Sequence, residues 1–114
     1  MNKLSFKEEL TVEAEMNNLK IDISDKIDYI KYKMKQCVNC RSFTVSLVKA
    51  NTPMALGVNY PNAVDYFIPP KVSPLHYRKL FIDEFIKLGF AEEDIELNVV
   101  DGRYCTYYGI NVTW

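Results

Sequence analysis

The chain has 114 residues, 48% hydrophobic and 25% charged, with a formal net charge of −1. That length suits one domain burying its core without disulfides or metals. The charge balance argues against a general nucleic-acid coat, which usually needs a basic excess, and leaves room for a local basic patch. The opening stretch MNKLSFKEEL has no apolar run ahead of a small-residue cleavage site, and no apolar stretch approaches the length of a membrane span. A cytoplasmic chain with reduced thiols is expected.

In chain order, the first regular pattern is LTVEAEM. Leu10, Val12, Ala14 and Met16 alternate with Thr11, Glu13 and Glu15, which predicts a half-buried strand, although Ser5 also offers a helix cap. LKIDIS alternates in the same way. Asn17-Asn18 between the runs suits a two-residue turn, and the resulting pairs Met16–Leu19, Ala14–Ile21 and Val12–Ile23 are all apolar. Ser24 then caps a helix, DKIDYIKYKMKQCVN, with Ile27, Ile30, Met34, Cys37 and Val38 on one arc and Tyr29 and Tyr32 on the polar side.

SFTVSLVK predicts a strand with Phe43, Val45 and Leu47 inward. NTP turns the chain into a shorter strand, ALGVNY. The irregular PNAVDYFIPPKVSP holds most of the prolines and a short strand around Val64 to Ile68. Ser73-Pro74 is a strong helix start, and the helix runs to Gly89 with Leu75, Tyr77, Phe81, Ile82, Phe85, Ile86 and Leu88 on a wide apolar arc. IELNVV and YCTYYGINVTW flank Asp101-Gly102, a hairpin signal that sets Val99 opposite Tyr104, Leu97 opposite Thr106 and Ile95 opposite Tyr108. Ile110, Val112 and Trp114 continue the buried face, and Cys105 and Tyr107 fall on the other. The order ββαββαββ predicts a single α+β domain over residues 1–114, a mostly antiparallel sheet with two helices packed on one face.

Cys37-x-x-Cys40 is half of a zinc motif, and His76 and Cys105 complete a Cys3His set by type. The predicted faces do not converge: Cys37 lies on a buried helical arc, His76 on a polar helical side and Cys105 on the outer sheet face. The pair also falls at a helix C-terminus, where the dipole disfavours a thiolate, so a redox pair is not expected. A zinc-binding protein is therefore the third choice of function, with no metal ligand assigned, and no cofactor is expected. His76 lacks a positioned nucleophile, and no paired-carboxylate, phosphate-loop or metalloprotease signature is present, which argues against an enzyme.

Two surfaces remain. Tyr60, Tyr66 and Phe67 stand in the proline-rich segment, and Arg78 falls within an apolar arc. Together they make a candidate protein-binding set, because irregular segments and aromatics are enriched at interfaces. The wide arc of the second helix also suits a homodimer. Lys71, His76, Arg78 and Lys79 gather at a helix start whose N–H groups attract anions, making nucleic acid or phosphate the second choice of partner. Arg78 is also placed to form an internal salt bridge with the acidic run Glu92, Glu93, Asp94 and Glu96.

Lysine far outnumbers arginine, and Asn and Ile are frequent, a bias of AT-rich genomes. Together with the small size and the missing catalytic kit, it resembles small accessory proteins of phages and mobile elements, including inhibitors of host defence. The expected function is therefore a non-enzymatic module acting by protein–protein contact.

Overall fold

A computed structural model describes residues 5–18, 21–50 and 61–114. The described elements are helices α1 (Phe6–Asn18), α2 (Ser24–Gln36) and α3 (Pro74–Lys87), and strands β1 (Ser42–Ala50), β2 (Ala63–Phe67), β3 (Ile95–Asp101) and β4 (Cys105–Thr113). The class is α+β, but the order is αα-β-β-α-β-β rather than ββαββαββ, with three helices and a mixed sheet.

The N-terminal hairpin is the largest correction. LTVEAEM is part of α1, and Asn17 and Asn18 end that helix instead of forming a turn. The stretch is rich in Glu, Ala, Leu and Met, all strong helix formers. Ser5 starts the helix by accepting the Glu8 backbone N–H at 3.2 Å and donating its hydroxyl to Glu8 Oε1 at 3.1 Å. Of the alternating set, Val12 is buried whereas Leu10 and Ala14 are exposed. Leu19 and Lys20 lie outside the described residues, and residues 21–23 form an irregular link whose Ile23 is buried in the core. The Ser24 N–H is accepted by Asp22 Oδ1 at 2.9 Å, so the acceptor at the start of α2 is Asp22 and not Ser24.

β1 and β4 pair antiparallel, as do β3 and β4, but β1 and β2 run parallel, with Thr44 beside Ala63 and Val48 beside Phe67. Parallel neighbours need a crossover connection rather than a tight turn between them. The expected turn NTP and strand ALGVNY lie outside the described residues. The strand order is β2-β1-β4-β3. In the β3–β4 hairpin, Val99 pairs with Tyr108 instead of Tyr104, Leu97 with Ile110 and Ile95 with Val112. The shift is an even number of residues, so the paired strand residues keep their predicted alternation. Val99 and Tyr104, expected on the buried face, are nevertheless exposed at 52% and 50%, and Tyr104 lies outside β4. Gly102 sits where the loop closes on the Cys105 carbonyl, accepting no side chain: a Cβ there would stand 2.9 Å from that oxygen.

The core lies between one sheet face and helices α2 and α3. Ile27 and Ile30 from α2, and Tyr77, Phe81 and Phe85 from α3, meet Phe43, Val45, Leu47, Ile95, Ile110 and Val112. Phe81 is edge-on to Tyr77 (5.2 Å between centroids) and stacked on Tyr66 (5.9 Å). α3 starts as predicted: the Ser73 hydroxyl oxygen accepts the N–H groups of Leu75 and His76, a cap worth about 1 kcal/mol. Gly89, at φ +104, closes the other end. The arc is narrower than predicted there, with Ile86 and Leu88 exposed. α1 packs against α3.

Candidate protein-binding face

The sequence-predicted site residues that are described differ in burial and in the side of the sheet they face. Tyr60 lies outside the described residues. Tyr66 and Phe67 are neighbours on β2, so they point to opposite sides of the sheet. Tyr66 turns into the core, half-buried on Phe81, with its hydroxyl donating to the Lys26 carbonyl at 3.5 Å and Lys26 Nζ 5.6 Å above its ring. Phe67 is 41% exposed on the outer side.

The basic start of α3 is divided in the same way. His76 is buried, contrary to its expected place on a polar helical side, and Arg78 is only 9% exposed. Lys71 is exposed in a left-handed turn (φ 67), and Lys79 Nζ is paired with Asp83 Oδ1 at 3.2 Å. Ser73 already accepts the leading N–H groups of the helix. Among the described residues, no carboxylate lies within ion-pairing distance of Arg78, including those of the Glu92–Asp94 turn. Burial lowers the pKa of the Arg78 guanidinium from its ordinary value, opposed by Tyr108 and by Glu8 of α1.

Cys37 caps the end of α2, its N–H donating to the carbonyls of Lys33 and Met34, and Cys40 lies in the short 3-10 turn that follows. Trp114 fastens this junction: its indole N–H donates to the Val38 carbonyl at 3.0 Å, and its own carbonyl accepts from Arg41 Nε at 2.8 Å. The pair therefore marks a junction between α2 and β1, with Val38 exposed rather than buried. All three cysteines are free, and no group of three His, Cys, Asp or Glu among the described residues could hold a metal ion. Burial, with Cys40 alongside, raises the pKa of the Cys37 thiol. Alkylation of the native protein should modify exposed Cys40 first. Cys37 and Cys105 should react only after denaturation, which mass spectrometry of timed samples will check.

The surface that does assemble is the sheet face turned away from α2 and α3. Phe67 of β2, Val48 of β1, Tyr107 of β4 and Val100 of β3 occupy one cross-strand row. Val48 is buried within it, whereas Phe67 and Val100 are exposed. The next row is polar: Asp65, Ser46, Gly109 and Asn98. Gly109 has a purpose here, since a Cβ would fall 2.0 Å from Asn98 Oδ1, so the bare backbone lets the Asn98 side chain lie across the sheet. A third row is joined by Thr44 Oγ1 donating to Asn111 Oδ1 at 2.9 Å. The Tyr107 phenol pKa is raised above its ordinary value, first by its hydrogen bond with the Cys105 thiol; burial raises that of Asp65. By strand alternation the described residues of this face include the carboxylates Asp65 and Glu96 and no Lys or Arg, a poor match for phosphates.

Sequence reasoning placed Tyr107 on the outer face but missed its partners. Val48 and Val100 each break the alternation at a strand end, SLVK and NVVD, and that break was the available signal. A groove of about 310 Å³ between the start of α2 and the end of α3, lined by Ile27, Leu80, Asp28 and Glu84 among others, contains no His or Cys. No helix among the described residues is long and apolar enough to cross a membrane. No protein-family model, curated protein or solved structure matches this chain.

Proposed function

We propose that this protein is a non-enzymatic binding module that docks on another protein through the outer face of its sheet. The observation that carries the reading is the row Phe67–Val48–Tyr107–Val100, which runs across all four strands. Aromatic and aliphatic side chains on rigid strands lose little entropy on binding, and aromatics dominate interface energetics. The polar row beside it supplies hydrogen-bonding groups of the kind that rim an interface. A phage or mobile-element accessory protein, inhibiting or adapting a host protein from the cytoplasm, fits a chain of this composition.

The test uses a photo-crosslinking residue at position 67 and the variants Phe67→Asp and Val100→Asp. The proposal expects crosslinking to one discrete partner, and a loss of affinity of at least about tenfold in both variants with unchanged circular dichroism. Retention of the partner by Phe67→Asp at undiminished affinity would remove this face from consideration.

A further inference from the structure

The outer row ends at β3, and β3 is an edge strand. Among the described residues its far edge pairs with no strand, which leaves its backbone N–H and C=O groups there without a strand partner among them. Natural edges are normally blunted by lysine, proline or a bulge. The middle of β3, Asn98-Val99-Val100, has no charge and no proline, and its two valines are exposed on opposite faces, Val99 at 52% and Val100 at 54%.

We propose that this edge takes an extended segment of a partner protein as an added strand, apolar in its centre and basic at its ends. The inference rests on the docking reading above and specifies its occupant. Charge identifies the segment. Residues 92–101 hold the five carboxylates of Glu92, Glu93, Asp94, Glu96 and Asp101, and no Lys, Arg or His. These acids bracket the strand: four lie before or at its start and one, Asp101, at its end, with the uncharged valines between. Asp101 Oδ1 accepts from Thr106 Oγ1, and Arg103 follows two residues on, so the negative charge is concentrated at the start of the strand. A second copy of β3 would bring a like-charged strand against this one, which opposes self-pairing. A partner strand with cations at its ends meets the acids, while its central side chains continue the row beyond Val100. Backbone hydrogen bonds supply affinity in such additions, and alternate side chains supply specificity.

The probe is a fluorescent peptide of alternating valine and threonine flanked at both ends by lysines, titrated into the intact protein. Controls are the same peptide with glutamate flanks and with alternate backbone amides methylated. The proposal expects binding of the lysine-flanked peptide, weakening of about tenfold or more in high salt and in Glu96→Lys, and loss on amide methylation. Amide exchange should slow at alternating residues of β3. Equal binding of the glutamate peptide, indifference to methylation, or exchange protection elsewhere overturns it. So does concentration-dependent dimerisation through β3 in sedimentation without peptide binding. If Phe67→Asp loses the crosslinked partner while the peptides fail, strand addition falls and docking by the sheet face stands. If the peptides bind while crosslinking at position 67 fails, the edge stands and the face falls.

Discussion

Phe81→Ala should lower the free energy of unfolding by about 3–5 kcal/mol, because it empties the centre of the core. Phe81 has no solvent exposure and contacts aromatic rings from two elements, Tyr77 of α3 and Tyr66 of β2. Removing it costs the transfer free energy of the ring and leaves a cavity that the surrounding strands cannot close. Domains of this size have about 5–15 kcal/mol in total, so the variant should show a much lower urea midpoint with little change in slope. A loss under about 1 kcal/mol would be incompatible with a ring packed at the core.

Raising the pH through the phenol range should destabilise the fold, and Tyr66 should be the main cause. Burial, then Tyr29 and Tyr77, push the pKa of its phenol up from 10.0 to about 12. The folded pKa lies above the unfolded one. Full stability therefore holds below about pH 10 and is lost as pH rises toward about 12, where the unfolded phenol has released its proton and the folded one still holds it. Two pH units correspond to about 2.7 kcal/mol, and because Tyr66 is only half-buried, solvent screening reduces this to about 1–2 kcal/mol. Burial shifts Tyr77 in the same direction. Urea midpoints of the native chain should fall between about pH 9 and pH 11.5, and Tyr66→Phe should reduce that fall. An equal fall in the variant would assign the alkaline transition to other groups.

These two residues also show where the sequence was legible. Phe81 was assigned to the core from helical period alone, because Ser73-Pro74 and Gly89 bound the helix and leave its phase no freedom. Tyr66 was read as an interface residue because it stands among prolines. The turn of its side chain toward Phe81 depends on how β2 pairs with β1, which no local pattern encodes. His76, expected on a polar helical side, is buried, whereas Arg78 lies within the apolar arc as its spacing predicts. The packing of α1 on α3 involves residues distant in sequence, and Arg78 feels the charge of Glu8 from that helix.

The sequence by itself determined the parts governed by short-range chemistry. These are the capped limits of α3, the inward triplet Phe43, Val45 and Leu47, the position of the last hairpin and the alternation of its two strands. The tertiary structure decided three things. It resolved α1 as a helix, because a short alternating run rich in Glu, Ala and Met satisfies either period until packing selects which residue, here Val12, is buried. It set β2 parallel to β1 and moved the hairpin register by an even step, since side-chain alternation specifies a face but not a partner. And it aligned Phe67, Val48, Tyr107 and Val100 in one row, which exists only because three separate strand pairings fall into register.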